Sequence, residues 1–478
     1  MPEQPLAPGV YIEEVPSGAR TIGAVRTDVT GLIGHTETGP HLAPIRITSL
    51  ADYEATFGGP ATLAVDLDNG GGALTARLRK DSRFYLYHAV AQFFTNGGSV
   101  CVIVSVGDYG TPFAPVRKRR KVLRSGLKRL NERSDIRIVN IPDAVLLSRK
   151  NYARLLKSTL NHCETHGDRF ALIDVHKGHK ARDRDPDHDV ITGRLTGFHT
   201  MVDGRDPSFG AAYYPWLAPA GTDPGFVLDT AGVAALQRVV EAAGPRPDAT
   251  EMLSRASTQD PAELLAILNG LAVEYAEVAA ALSQIKTQLR YAPPGGAVAG
   301  AMAQTDSTRG VWKAPAGVAL RGVTGFATDL TEMDHAALTG GGAGPSVNSL
   351  RMISDIGPAI WGARTLGGDI DYRYVPVRRF ALLLKSSLHK GLQWAVFEPN
   401  DANTWKSIRR DIDAFLNSLW REGAFQGSKA SDAFFVRVGL GETMTQADLD
   451  NGRLICHVGF APLRPAEFVV LTLNLSVA

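Results

Sequence analysis

Ile136-Arg-Ile-Val-Asn-Ile141 and Phe170-Ala-Leu-Ile-Asp-Val175 are short apolar runs rich in β-branched residues, and residues 149–165 between them carry helix formers. A strand, a helix and a second strand at this spacing predict a βαβ unit. Parallel strands need a crossover of a dozen or more residues, and a helix supplies it. The fold class that follows is α/β (α+β), with parallel pairing in this unit.

Upstream, the same grammar continues. Thr30-Gly-Leu-Ile-Gly34 and Val100–Val106 read as strands, Ser49 as the cap of a helix reaching Phe57, and Tyr85–Phe94 as apolar at helical spacing. Downstream, residues 230–289 read as helical with a break at Gly244-Pro-Arg-Pro247, and Glu263–Leu289 as a helical hairpin inserted in the α/β frame. Residues 292–348 are dense in Gly and Pro and read as turns. No Gly-Lys-Ser/Thr ending supports a phosphate loop there. Phe380–Leu384 reads as a strand, Trp405–Trp420 as an amphipathic helix capped by Asn400 or Asp401, and Phe434–Val438 and Leu454–Phe460 as further strands. Val469, Leu471, Leu473 and Leu475 alternate with polar residues toward Ala478, the signature of a strand that must pair with something.

The 478 residues hold 51 Lys+Arg against 49 Asp+Glu, so net charge selects no partner, while 49 Gly and 27 Pro call for many turns and extended connections. Apolar runs of five residues are too short to span a bilayer, which takes about 20. The start has no basic segment followed by an apolar core, so neither a secretory signal nor membrane insertion is expected. Cys101, Cys163 and Cys456 are widely spaced and fit a reducing cytosol. Nine of the 17 residues in Arg117–Arg133 are Lys or Arg; Val122, Leu123, Leu127 and Leu130 give that run an apolar face. A solvated basic face is favoured there over an acidic protein partner or nucleic acid, since no aromatic is interleaved to stack a base.

Chemistry-bearing candidates are few. His162 and His166 lie four apart on the central helix with Cys163 beside them, and the loop 174–189 is rich in His and Asp. Neither matches a known metal cage, and a bland helix and a mobile loop are preferred. There is no G-x-S-x-G, H-E-x-x-H or Walker sequence, so no catalytic residue, cofactor or metal is expected.

Several longer strings share one family. Pro8-Gly-Val-Tyr-Ile-Glu-Glu-Val-Pro-Ser-Gly18 and Ser49-Leu-Ala-Asp-Tyr-Glu-Ala-Thr-Phe-Gly-Gly59 resemble the N-terminal region of contractile tail sheath proteins. Tyr213-Tyr-Pro-Trp216 and Arg309–Pro315 lie between. Trp361–Leu366, Tyr372–Arg379, Gln393–Asn400, Met444–Gln446, Asp450–Cys456 and Pro465–Phe468 are similar to that family's C-terminal domain.

The resemblance implies a non-enzymatic sheath subunit, made in the cytoplasm, that polymerises as a homo-oligomer in a helical array around an inner tube. It contracts on a baseplate signal, with terminal cap proteins as further partners and nucleic acid not among them. It implies an extended arm over 1–22, an outer part over 23–348 that is subtilisin-like in fold only, a tube-facing α/β domain over 349–464 and a strand arm over 465–478. The basic segment 117–133 and the helical insert 230–289 map to no family motif. A hydrolase using the outer domain, or another tube or baseplate component, are the competing readings. The arm residues are Val10, Tyr11, Ile12, Val469, Leu471, Leu473 and Leu475. The amphipathic helix offers Lys406, Arg409 and Arg410 as contacts to an acidic tube. An arm of 22 residues reaches roughly 70 Å when extended, enough to lend a strand to a neighbour.

Overall fold

The computed structural model describes residues 21–465 except 71–72, 118, 184, 222–224, 245, 259 and 340–343. The terminal arm residues Val10–Ile12 and Val469–Leu475 lie outside the described residues. The chain divides into two compact units, one holding Arg26–Leu383 and the other Leu384–Leu463 with the described residues up to Val25.

The larger unit is built on a nine-stranded sheet. Across it run Val318–Ala319, Gly357–Trp361, Val347–Ile353, Gly210–Tyr214, Phe170–Asp174, Ile138–Asn140, Thr30–Gly34, Cys101–Ser105 and Pro44–Ile47. The middle strands are parallel, with Ile138 beside Phe170 and Leu32 beside both Ile103 and Asn140, and the two edges turn antiparallel. Cys101–Ser105 and Phe170–Asp174 are buried at every position, which is why they read as unbroken apolar runs. The crossover helix Arg149–His166 buries Tyr152, Leu155, Leu156, Thr159, Leu160 and Cys163, a single stripe at helical spacing. It stops at Gly167, whose φ of 63° is left-handed backbone that a glycine adopts without a Cβ clash.

The helical insert is larger than a hairpin. Thr230–Ala243, Pro247–Arg255, Pro261–Glu274 and Ala276–Leu289 form a second core with a three-stranded sheet of Phe226–Leu228, Leu63–Asp68 and Thr75–Leu78. Asp229 and Asp260 cap two of these helices, and Pro247 and Pro261 open two of them, where a missing N–H costs nothing. Along Thr75–Leu78 the Oε1 atoms of Gln284 and Gln288 accept the N–H groups of Ala76 and Leu78, both at 2.9 Å. The Gln288 amide also donates to the Ala76 carbonyl at 2.8 Å, so glutamine side chains finish a strand edge that would otherwise be open.

Three expectations are corrected. Phe380–Leu384 is part of the helix Val375–Gly391, because a five-residue apolar run fits a buried helix as well as a strand. Pro376 sits in its first turn, where proline is tolerated. The Gly-rich stretch after Pro294 is the helix Gly295–Arg309, not a set of turns. Its glycines serve close approach: a Cβ on Gly296 or Gly300 would fall inside the backbone of Ala89 or Phe93 on the helix Leu86–Thr95. The boundary expected at 348/349 falls within the strand Val347–Ile353, which belongs to the central sheet; the compact division lies at Leu383/Leu384.

Gly300→Ala tests the helix contact. Helix propensity alone predicts a gain of about 1 kcal/mol. The steric clash predicts instead a net loss of about 2 kcal/mol or more in urea unfolding of the purified chain.

Candidate functional site

In the smaller unit the helix Ala402–Arg421 lays Ile408, Ile412, Phe415, Leu416 and Leu419 into the core, and Asp401 caps it by accepting the N–H groups of Asn403 and Thr404. Above it Phe434–Val438 and Cys456–Phe460 pair antiparallel, with Val436 opposite Val458. Among the described residues this sheet has only two strands, so each pairs on one side and presents an unpaired edge on the other. Phe435 is 49% exposed on it, with the Arg437 guanidinium 5.0 Å from the ring centroid. A hairpin with two open edges is marginal by itself and is a ready template for an added strand. The chain from residue 21 leads into this unit: Ile22 is buried against Gly391, and the Val25 N–H donates to Ser387 Oγ at 3.1 Å.

The three basic candidates on the helix differ. Arg409 donates to Glu442 at 2.6 Å and Arg410 reaches the buried Asp411 at 3.1 Å, so both are engaged inside the unit. Lys406 is exposed and forms no ion pair among the described residues. Burial raises the Cys456 thiol to about 11, with Arg409 opposing that shift, so the sulfur is a neutral packing group.

Two of the three arginines of the Tyr372–Arg379 string, Arg378 and Arg379, meet acids in the larger unit. Arg379 forks onto Asp306 at 2.6 and 2.8 Å and donates to the Thr27 carbonyl at 3.0 Å, with both partners of the ion pair 4% exposed. Arg378 lies 3.5 Å from the Tyr372 ring centroid and 4.3 Å from that of Phe209, and pairs with Asp206 at 2.7 Å. Sequence spacing does not reveal Asp306 or Asp206 as partners.

The remaining candidates do not form a reaction centre. His162 Nε2 accepts from Arg169 Nη1 at 3.0 Å, and burial, Arg169 and His166 together push it down to about 3. A guanidinium thus stands where a metal ion would compete, and Cys163 is buried. In the loop 174–189, Asp189 accepts from Arg182, from Thr192 Oγ1 and from the N–H groups of Asp183, Ile191 and Thr192, so the loop is organised around one buried carboxylate rather than mobile. Among the described residues no three His, Cys, Asp or Glu side chains gather as metal ligands. His35 Nδ1 meets Asp143 at 3.0 Å, but the pair is 1% and 0% exposed and out of reach of substrate. At the end of Phe170–Asp174, Asp174 accepts from Asn140 at 2.8 Å and from the Gly295 N–H at 2.6 Å.

The known proteins similar to this chain are sheath proteins. Residues 368–476 match the phage tail sheath C-terminal domain. The putative prophage major tail sheath protein of Pseudomonas aeruginosa (strain UCBPP-PA14) is 26% identical over 178 residues, 37% of this chain and 44% of that protein. The tail sheath protein of Vibrio phage KVP40 is 27% identical over 187 residues, 38% of this chain and 26% of that protein. The chain thus matches less than half the length of these two relatives. Over nearly the whole chain, the PVC extracellular contractile injection system sheath in its contracted state superposes with a TM-score of 0.62 at 25% identity, covering 99% of both chains. The anti-feeding prophage helical sheath, also contracted, gives 0.61 at 27% identity, covering 98% of this chain and 99% of that one. The fold is that of contractile sheath subunits. Residues 368–476 by family match, and the chain as a whole by structure, are similar to contractile tail sheath proteins.

Asp174 gives a pH signature. Burial raises its carboxyl from 3.8 to about 6, so the neutral form is favoured in the folded state. The stability this contributes is complete below about pH 4 and is lost as pH rises through 6, by up to about 3 kcal/mol. In Asp174→Asn that component disappears. The gap in unfolding free energy between wild type and variant therefore changes by about that amount between pH 4 and 7, in the direction of relative loss for the wild type.

Proposed function

We propose that the chain polymerises as the sheath of a contractile phage-tail-like particle, surrounding an inner tube and shortening to drive it through a target envelope. The whole-length likeness to two contracted sheaths carries this reading. Its partners are copies of itself, the tube, a baseplate and terminal cap proteins, and assembly takes place in the cytoplasm. No described helix is long and apolar enough to cross a membrane. The subunit is structural rather than catalytic, and a subtilisin-like outer part contributes shape only, since fold alone licenses no activity.

The linkage between copies is strand addition. Val10, Tyr11 and Ile12 near one end and Val469, Leu471, Leu473 and Leu475 near the other have the alternation of strands, and the open edges of Phe434–Val438 and Cys456–Phe460 are the acceptors on neighbouring copies. Each backbone hydrogen bond contributes only about 0.5–1.5 kcal/mol net. A strand's worth on every subunit tethers the array while the bodies between the tethers rotate. Toward the tube, in the smaller unit, Lys406 is the one of the three helix candidates without an ion pair among the described residues. Arg409 and Arg410 reach an acidic tube only by leaving Glu442 and Asp411.

Electron microscopy of the purified chain is expected to show hollow helical cylinders, whereas a monodisperse monomer that turns over peptide or ester substrates contradicts the reading. Deleting 466–478 is expected to abolish cylinders while leaving a folded chain with an unchanged melting temperature. Intact cylinders from the truncated chain sink strand donation. Lys406→Glu is expected to weaken assembly on tubes in low salt, where exposed charges act most strongly.

A further inference from the structure

The segment Arg117–Arg133 and the helical insert carry opposite charge on one chain. The first has nine Lys or Arg and one acid, and the second, Asp229–Leu289, has eight acids and four Lys or Arg. The basic helix Arg120–Arg129 buries Leu123, Gly126 and Leu127 and turns Lys121, Arg124 and Lys128 outward at i, i+3 and i+7. Of the cations on this helix, only Arg129 has an acid partner among the described residues, namely Glu132 at 2.8 Å. Its first turn holds Arg120 and Lys121 with no acid and no side-chain cap, the wrong sign for the helix dipole. Such a concentration of like charge is unfavourable in an isolated subunit, and it is relieved by an anionic partner.

On the insert, two of the four cations are used internally: Arg246 pairs with Glu274 at 2.8 Å, and Arg255 pairs with Glu263. Glu241, at the end of Thr230–Ala243, Asp248 and Glu251, one turn apart on Pro247–Arg255, and Glu277 on Ala276–Leu289 are exposed and without ion pairs among the described residues; the first three follow one another closely in the chain. The exposed basic face carries no aromatic for stacking bases, which favours a protein partner over nucleic acid. A chain whose charges nearly cancel overall, yet which carries one basic and one acidic segment, can be complementary to its own copies.

We infer that the Lys121, Arg124 and Lys128 face of one subunit docks on the Glu241, Asp248 and Glu251 face of a neighbouring copy. The inference rests on the sheath reading for its geometry of repeated copies, but not for its measurement. Self-association is followed by sedimentation in dilute solution and cylinder formation by electron microscopy, both as a function of NaCl. Lys121→Glu/Arg124→Glu/Lys128→Glu and Glu241→Lys/Asp248→Lys/Glu251→Lys are each expected to weaken self-association about tenfold or more at low salt. The chain carrying all six reversals is expected to recover it, and the wild type to weaken as salt rises.

Wild-type self-association in either triple variant overturns the inference, as does failure of the six-fold reversal to restore it. Loss of a co-purifying polyanion from the first triple variant, with assembly unchanged, overturns it in favour of nucleic acid. Charge-dependent pairing without cylinders contradicts the sheath reading and leaves the pairing of these two faces standing.

Discussion

The unpaired edges of a two-stranded sheet set the terms for the smaller unit. Phe434–Val438 and Cys456–Phe460 satisfy half of their backbone groups with each other and pack one face on the helix Ala402–Arg421. Among the described residues the outer edges are left with donors and acceptors that water can satisfy but that another strand satisfies more cooperatively. Soluble monomers usually blunt such edges. The larger unit does so with the Gln284 and Gln288 amides along Thr75–Leu78. The contrast within one chain marks the hairpin as an edge kept open.

The larger unit is stiffly built. The central sheet is parallel through its middle and buried on both faces, and the helix Gly295–Arg309 is set against Leu86–Thr95 at a distance only glycines permit. Arg379 and Asp306, both almost fully buried, tie the start of Val375–Gly391 to Gly295–Arg309 and to the Thr27 carbonyl. Removing one partner of such a pair typically costs about 3–5 kcal/mol, because it leaves a buried charge uncompensated.

The sequence made the central sheet legible because burial on both faces turns strands into plain apolar runs, and the crossover helix because its stripe is regular. The same local view failed at Phe380–Leu384, where five apolar residues fit either element. It failed again at Gly295–Gly300, where glycine serves close helix packing instead of a turn. The insert's core was hidden because it borrows Leu63–Leu78, far away in the chain. At the site, the apolar face of Ala402–Arg421 was readable from its period, but the engagement of Arg409 by Glu442 was not, since a long-range ion pair leaves no trace in spacing. The motif arginines Arg378 and Arg379 were visible as a string, while their partners Asp206 and Asp306 became identifiable only in three dimensions.

Hydrogen exchange at the amides of Phe434–Val438 and Cys456–Phe460, compared between the dispersed chain and assembled particles, tests the open edge most directly. Strand addition predicts that the outward-facing amides of the hairpin exchange readily in the dispersed chain and become strongly protected on assembly. Equal exchange in the two states, with assembly otherwise complete, contradicts the account.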